Sequence, residues 1–493
     1  MKGFVIAATG SGTGKTTISL AILSYLKSRG IKVAPFKVGP DFIDPGHHGK
    51  IAGRTSFNLD SWMLPREYNQ RLFMEKSRGM DLAVVEGVMG LFDGYDALSE
   101  TGSTAQMAKW LNLPVVLIVS ARGKARSAAA IVKGFEEFDR DLNIAGVIFS
   151  QTGSLRHYEY LKDAVEQNCK TPCLGYMPNN EKITMPERHL GLMTADELEI
   201  SPETISILVS MVKDHINMDG LIKNLSPVKF IGYGSYLLKP DQKKFSSEEA
   251  PVIAVARDKA FCFYYQDNIE ILQAAGASII YFSPLTDKSL PNNIDGIYFG
   301  GGYPEVFAKT LSTRTGLMAR IKAQSNAGMP IYGECGGFMY LSSQLSEMGT
   351  EANHEMTGCF NFSVQMSRRL RSLGYREIIL TEDTIIGKKG DVLKGHEFHY
   401  SSLKELDSED PQVKNVYHVT TRAGQDITLK GFQKNNTLAS YLHVHFGSNQ
   451  GCAQTFVNHC AEFRKTRLIS EPEPESVLDF QGTIAFDSQE KSP

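Results

Sequence analysis

The sequence lacks any long apolar segment and any excess of charge of one sign. Its 493 residues include 52 Lys and Arg against 55 Asp and Glu, a formal net charge of −3 at pH 7. No stretch approaches the roughly 20 apolar residues that a membrane-spanning helix needs. A balanced charge gives no general attraction to nucleic acid or to an anionic membrane. We therefore expect small-molecule substrates, and we expect any polyanion to be held by a local basic cluster. A homodimer is possible on this sequence.

A cysteine framework is also missing. The seven cysteines are scattered, and none forms a CxxC pair. An odd, irregular set in a long chain is typical of reduced thiols rather than of disulfides. This pattern predicts a cytoplasmic protein.

Short apolar runs alternate with helical stretches in two separate regions. The runs at residues 4–8, 82–85, 115–119 and 144–149 predict a parallel sheet flanked by helices over residues 1–225. A stretch rich in Ser, Lys, Pro and Glu at 226–250 predicts a linker. A second α/β domain is predicted over 251–465, followed by a polar tail, 466–493, that we expect to be disordered.

The first predicted strand leads into TGSGTGKTT at residues 9–17, and a helical stretch follows. Glycines in such a loop let backbone N–H groups converge on phosphate, and the helix N-terminus favours negative charge. Lys15 would contact the β- and γ-phosphates, and the Thr16 hydroxyl would bind Mg²⁺. A turn that binds nothing is disfavoured by this strand-to-helix context. The sequence thus predicts an ATP site made of Gly10, Ser11, Gly12, Thr13, Gly14, Lys15, Thr16 and Thr17.

Acidic residues occur where such a site needs them. The apolar run at 82–85 ends in Glu86, a position typical of a second metal contact in P-loop enzymes. The segment 36–45 adds Lys37, Asp41 and Asp44. An isolated acidic loop is usually a solvated turn. Beside a phosphate loop, a metal or substrate role is favoured.

In the second region, residues 329–338 predict a strand, a sharp turn and a helix, with glycines on both sides of Cys335. Small neighbours are what a strained nucleophile elbow requires, and a helix N-terminus lowers the pKa of a thiol. The N–H of Gly336 would serve an oxyanion hole, with a second donor from the glycine loop that contains Gly302. The glycines favour this interpretation over a buried, inert cysteine.

A thiol nucleophile needs a base, and YLHVHF at 441–446 offers two histidines on one strand face. Either His443 or His445 would activate Cys335 on this pattern alone. The segment GHEFHYS at 395–401 suggests a zinc site, but no further ligand cluster supports one.

Together these segments resemble the cobyrinic acid a,c-diamide synthase family of glutamine amidotransferases, over about residues 3–465. Besides the Cys335 turn, the matching stretches are FKVGPDFIDP at 36–45, NLDSWM at 58–63, EGVMGLFDG at 86–94, PERHLGL at 186–192, AVARDKAF at 254–261, GGYPE at 301–305, GHEFHYS at 395–401 and YLHVHF at 441–446. The resemblance implies a P-loop domain like that of dethiobiotin synthetase, joined to a three-layer class I glutaminase domain. ATP would phosphorylate a substrate carboxylate, and ammonia from glutamine would attack the acyl phosphate. Two carboxylates of cobyrinate, or of metal-free hydrogenobyrinate, would be amidated in cobalamin biosynthesis.

The resemblance also implies roles for individual residues. Cys335 matches the nucleophile and His443, rather than His445, its partner. Related glutaminases carry a glutamate two residues past that histidine, where this chain has His445, so the orienting carboxylate is not evident. By the same matching Thr16, Asp41 and Glu86 would contact Mg²⁺ and Lys37 a phosphate. Local charge suggests four residues that would contact the substrate: Asp44, Arg126, Arg188 and His189.

Three other functions share part of this pattern. Nickel-sirohydrochlorin a,c-diamide synthases carry the same motifs and are the main alternative, while cobyric acid synthase fits the segments 36–45 and 186–192 less well. A partitioning-type ATPase usually has a second lysine early in the P-loop, where this chain has Gly10 and Ser11. That class is disfavoured.

Overall fold

The computed structural model describes residues 1–179, 200–228, 249–347, 352–404 and 410–470, with short pieces at 187–188, 191–192, 194–195, 197 and 245–246. Most of the predicted linker and residues 471–493 of the predicted tail lie outside this set. Within it, no helix has the length and apolar character needed to cross a membrane.

The apolar runs of the first domain form one parallel sheet. Its strands are β1 (Lys2–Ala8), β2 (Val33–Val38), β3 (Phe57–Leu59), β4 (Leu82–Glu86), β5 (Val115–Ser120), β6 (Ile144–Thr152) and β7 (Cys173–Pro178). They lie in the order β3-β2-β4-β1-β5-β6-β7, and every neighbouring pair is parallel. A short antiparallel pair, β8 (Glu187–Arg188) and β9 (Gly191–Leu192), stands apart. The predicted parallel-sheet domain is confirmed.

Helices cover both faces of this sheet. They are α1 (Lys15–Ser28), α2 (Ile43–Ala52), α3 (Arg66–Ser77), α4 (Thr104–Leu111), α5 (Ser127–Phe138), α6 (Leu155–Asn168), α7 (Pro202–His215) and α8 (Met218–Asn224). Successive residues of β1 enter two different cores, Val5 with α3 and α4, and Ile6 with α1 and α7. Strands buried on both sides have continuous apolar sequences, which is why their positions were predictable.

The second domain also has a central seven-stranded sheet, which is buried at its inner strands and more exposed toward its two edges. Its strands are β10 (Val252–Ala256), β11 (Ser278–Phe282), β12 (Gly296–Phe299), β13 (Ile331–Glu334), β20 (Lys414–Asn415), β23 (Phe432–Lys434) and β24 (Thr437–Ser440). The order is β11-β10-β12-β13-β24-β23-β20, parallel as far as β24 and antiparallel beyond it. The α/β prediction for this domain is confirmed, with a mixed central sheet.

Two further sheets complete the domain, one mixed and one antiparallel, and the sequence did not predict them. One pairs β15 (Asn353–Glu355), β14 (Gln344–Ser346), β16 (Ser363–Met366) and β19 (Ser401–Lys404). The other pairs β22 (Asp426–Ile427), β21 (Tyr417–Thr421), β17 (Ser372–Leu380), β18 (Val392–His399) and β25 (His443–Val444). The helices of the domain are α9 (Gln266–Ala274), α10 (Ala308–Ser312), α11 (Thr315–Asn326), α12 (Gly336–Leu341) and α13 (Gly451–Ser470), of which α13 extends past residue 465.

Buried polar contacts join the two domains. The Tyr68 hydroxyl donates to Asp267 Oδ2 at 2.8 Å, and the Tyr375 hydroxyl donates to Asp60 Oδ2 at 2.6 Å. Trp62 stacks on Tyr375 with ring centroids 4.8 Å apart. These contacts position the carboxyl edge of the first sheet against β17, β18 and α9 of the second domain.

Candidate active site

Cys335 sits on a sharp turn between β13 and α12. Its backbone has φ 47° and ψ −101°, a conformation that is strained for a residue with a side chain. The neighbouring glycines are sterically required: a Cβ on Gly337 would lie 2.5 Å from the Phe299 carbonyl oxygen. The sequence motif therefore has a physical basis, and the turn has the geometry of a nucleophile elbow.

Two glycines bring backbone donors next to this turn. Gly302 has φ 155°, and a Cβ there would lie 2.0 Å from the Ala260 carbonyl oxygen. A Cβ on Gly336 would lie 2.9 Å from the Gly302 nitrogen, so the two predicted oxyanion-hole residues are adjacent. The geometry supports a pair of N–H donors beside the reacting sulfur.

The thiol is enclosed. Burial raises the pKa of Cys335, the Glu305 carboxylate raises it further, and the Gly336 N–H opposes both. A cavity of about 30 Å³ beside the sulfur has space for little more than one water molecule. The thiol is therefore protonated at rest, and it needs a base to become nucleophilic.

The structure distinguishes the two histidines of the 441–446 segment. A Cβ on Gly301 would lie 2.3 Å from His443 Cε1, so this imidazole packs on the same glycine loop that flanks Cys335. Burial lowers the pKa of His443 to about 3, which keeps the ring neutral and able to accept a proton. His445 instead places Nε2 3.1 Å from Asp267 Oδ2 in the domain interface. Of the two, His443 is the histidine that lies against the glycine loop beside Cys335.

The P-loop curves between β1 and α1 as predicted, with Gly12 and Gly14 at φ 73° and 82°. Lys15 Nζ donates to the Met89 carbonyl oxygen at 2.8 Å, and Thr16 Oγ1 donates to Glu86 Oε1 at 3.0 Å. Burial and, second, the charge of Lys37 together lower the pKa of Lys15 to about 8. A bound phosphate would favour the charged form of this lysine.

A buried lysine organises the acidic residues. Lys37 Nζ lies 2.5 Å from Asp44 Oδ2, 3.0 Å from Glu86 Oε1 and 3.7 Å from Asp41 Oδ2. Burial alone would lower the pKa of Lys37, but these carboxylates outweigh it and raise the pKa. Asp44, assigned above to substrate from its charge, also lies 3.4 Å from Thr16 Oγ1. It therefore belongs to this cluster.

The cluster has the chemistry of a magnesium site. Burial, with the Asp41 charge, raises the pKa of Asp44 well above its usual range, because negative charge exceeds what Lys37 balances. Among the described residues, no three His, Cys, Asp or Glu side chains are arranged to hold a metal by themselves. Mg²⁺ typically takes one or two carboxylates and completes its shell with phosphate and water. The oxygens of Thr16, Asp41, Asp44 and Glu86 fit that requirement.

Two other predictions concern the remaining substrate contacts and a zinc site in the segment 395–401. Arg126 is exposed at the start of α5. Arg188 is described only as part of β8, and His189 lies outside the described residues. In the segment 395–401, His396 Nδ1 lies 2.7 Å from the Tyr265 hydroxyl, and Arg376 Nε donates to Glu397 Oε1 at 2.6 Å. These side chains have protein partners and do not form a ligand set.

Sequence reasoning missed three residues of these sites. His48 Nε2 lies 2.7 Å from Glu86 Oε2 within the first domain. The Phe42 ring lies 5.0 Å from the ring of His443, which belongs to the second domain. Glu334 Oε2 lies 3.9 Å from His443 Nδ1. Its only sequence signal is a carboxylate in an apolar strand, directly before Cys335.

Comparisons with known proteins agree with this division into two sites. Residues 4–192 match the CobQ/CobB/MinD/ParA nucleotide binding domain, and residues 252–451 match the CobB/CobQ-like glutamine amidotransferase domain. A cobyrinate a,c-diamide synthase of Leptospira interrogans is 40% identical over 92% of this chain and 98% of its own length. Proteins of the same name from Salmonella typhimurium and Listeria monocytogenes are 43% and 42% identical, over 90% and 91% of this chain and 95% and 97% of theirs.

Proposed function

Because this chain belongs to the cobyrinate a,c-diamide synthase family of glutamine amidotransferase ligases, we propose that it amidates the a and c side-chain carboxylates of cobyrinate or hydrogenobyrinate, as a step in cobalamin biosynthesis. The observation that carries the proposal is similarity over nine-tenths of the chain to relatives of that name. The P-loop and the thiol elbow in one chain support it chemically. A carboxylate is a poor acyl donor until it is phosphorylated, and free ammonia is scarce at neutral pH.

The first domain would activate the carboxylate. Lys15 and Lys37 would neutralise the phosphates of ATP while the γ-phosphoryl group passes to a substrate carboxylate oxygen, giving an acyl phosphate and ADP. Mg²⁺, held by oxygens of Thr16, Asp41, Asp44 and Glu86, would stabilise the negative charge on the phosphates. His48 would keep Glu86 oriented through the 2.7 Å contact.

The second domain would release ammonia from glutamine. The Cys335 thiol gives its proton to His443, and the thiolate attacks the side-chain amide carbon. The N–H groups of Gly302 and Gly336 stabilise the oxyanion. The carbon–nitrogen bond breaks, ammonia leaves with the proton held by His443, and water hydrolyses the thioester to glutamate.

Ammonia would then attack the acyl phosphate, forming the amide and releasing phosphate, once for each of the two carboxylates. The two half-reactions must be coordinated, because glutamine hydrolysed without an acceptor is wasted. Phe42 is placed to contribute to this: it follows Asp41 of the nucleotide site, stacks on Phe263 with centroids 5.4 Å apart and contacts His443.

The test is an incubation with Mg-ATP, amide-labelled glutamine and, separately, cobyrinate, hydrogenobyrinate or nickel sirohydrochlorin. We expect mass spectrometry to find two labelled amides on cobyrinate or hydrogenobyrinate and none on the nickel compound. Two amides on the nickel compound alone would move the enzyme to that pathway. Glutamine hydrolysis without amidation of any of the three would leave the reaction class intact and refute the substrates.

Replacing Phe42 with alanine is expected to lower the kcat of glutamine hydrolysis about tenfold, because misplacing a catalytic group by about 1 Å costs up to about 100-fold. Its ring buttresses His443, so Phe42→Leu should retain more activity than Phe42→Ala. Steady-state glutaminase assays measure both. Phe138→Ala, which removes an exposed ring of the same domain, is the control. An unchanged kcat in Phe42→Ala would refute the buttressing role.

A further inference from the structure

The base of a cysteine–histidine pair needs a group that fixes its ring and balances its charge when it is protonated. In this chain the residue two positions after His443 is His445, which is paired with Asp267 in the domain interface. The orienting group must therefore come from elsewhere in the fold.

The ring of His443 is restrained on three sides. His396 stacks on it with centroids 4.8 Å apart, Phe42 lies at 5.0 Å, and Gly301 packs against Cε1. Nδ1 has no hydrogen-bond partner among the described residues, although it is fully buried.

Glu334 is the carboxylate nearest to that atom. Its Oε2 lies 3.9 Å from His443 Nδ1, and its side chain is 1% exposed. Three donors hold it: the Tyr298 hydroxyl on Oε2 and, on Oε1, the Tyr332 hydroxyl and the Val444 N–H, each at 2.9 Å. Glu334 is thus bound to the backbone of the residue after His443, and movement of less than about 1 Å would complete the hydrogen bond.

We infer that Glu334 is the positioning carboxylate of the glutaminase site, which accepts the Nδ1 hydrogen of His443 and balances the imidazolium charge. The inference rests on the proposed roles of Cys335 and His443. When the thiol proton passes to Nε2, the positive charge on the ring would otherwise be buried among aromatic side chains. Catalytic hydrogen bonds that are long without substrate commonly shorten when substrate binds.

The electrostatics of the site agree with this role. Burial raises the pKa of Glu334 to about 8, despite its three donors, so the resting carboxyl holds a proton at neutral pH. Glu334 acts as a carboxylate only in molecules in which this proton has already been released to solvent, and their fraction increases as the pH rises through about 8. The other titratable groups of the described residues that interact with Glu334 or His443 are Tyr264, Tyr265, Tyr298, Tyr332, Cys335, His396, His399, Tyr417 and Cys452.

The test is the substitution Glu334→Gln, which keeps the size of the side chain and removes its charge. We expect the kcat of glutamine hydrolysis to fall about 100-fold, within the range up to about 10⁴-fold seen when such a carboxylate is made neutral. The KM for glutamine should stay within about twofold of wild type, since Glu334 does not touch glutamine. In the wild type we expect kcat to change as the pH passes through about 8, and this change should be absent from Glu334→Gln.

Asp295→Asn is the matched control, because Asp295 is an equally buried carboxylate of the same domain, bound by Arg464 and Arg467. It should lower the thermal stability without changing the shape of the pH profile. If Glu334→Gln lowers kcat by the same factor at every pH, or leaves kcat unchanged, the inference is refuted.

Two further variants separate the inference from its premises. If Glu334→Gln does not fold, Tyr298→Phe replaces it as the test. Loss of one hydrogen-bond donor to Glu334 should raise the pH at which kcat changes, and an unchanged pH midpoint refutes the role of Glu334. A wild-type protein without glutaminase activity, or full activity in His443→Ala, would refute the proposed site itself. Wild-type activity that is lost in His443→Ala but retained in Glu334→Gln would refute the inference alone.

Discussion

Replacing Cys335 with alanine is expected to abolish amide formation from glutamine while amide formation from ammonium salts continues. Loss of a nucleophile from a preorganised site typically lowers kcat by about 10⁴-fold or more. The ATP site lies in the other domain, and its Lys37 cluster makes no contact with the elbow side chain. Product amides counted by mass spectrometry with each nitrogen donor measure the effect.

The matched control is Cys359→Ala, another buried cysteine of the same domain, which lies in the loop between β15 and β16 and not at a strand-to-helix turn. It should retain both activities. Glutamine-dependent activity in Cys335→Ala would exclude this residue as the nucleophile. Loss of the ammonia-dependent reaction as well would show that the two halves are not separable.

The sequence was most informative where one short segment contains the whole determinant of a structure. A nucleophile elbow needs its small residues within a few positions of Cys335, and a P-loop needs its glycines before Lys15. The same holds for strands such as β1 and β5, because burial on both faces leaves a continuous apolar run. These features could be predicted, and the structure has them.

The missing features all depend on contacts between distant segments. β17 and β18 alternate and are partly exposed, so their apolar signal is weaker than that of the central strands. His443 and His445 share a strand face, and the sequence cannot say that the one meets Gly301 and the other Asp267. Glu334 differs from a surface glutamate only through Tyr298, Tyr332 and Val444, which the fold brings around it.

The position of Phe42 has the same origin. Its neighbours along the chain belong to the nucleotide site, whereas its ring contacts belong to the glutaminase domain. Coupling between two reactions is a property of an interface, and an interface has no local sequence pattern. The contacts of Asp60 with Tyr375 and of Tyr68 with Asp267 follow the same rule.

Replacing Lys15 with alanine is expected to abolish amidation with both glutamine and ammonia, by at least about 10³-fold, because removing a cation from a phosphoryl-transfer site costs on this order. Hydrolysis of glutamine without ATP should persist, since Cys335 and His443 lie in the other domain. Initial rates of ADP release, amide formation and glutamate formation measure the three activities. Lys27→Ala, an exposed residue of the same helix, is the control.

The lysine also predicts a pH dependence. Burial and the charge of Lys37 hold the pKa of Lys15 at about 8 in the free protein, so the cationic form is complete below that pH and is lost above it. The KM for ATP should therefore increase as the pH rises through about 8, and Lys15→Arg, which stays charged, should flatten this increase. A KM for ATP that does not change between pH 7 and 9 in the wild type would contradict a phosphate contact by Lys15, whereas an increase that Lys15→Arg does not flatten would assign the titration to another group.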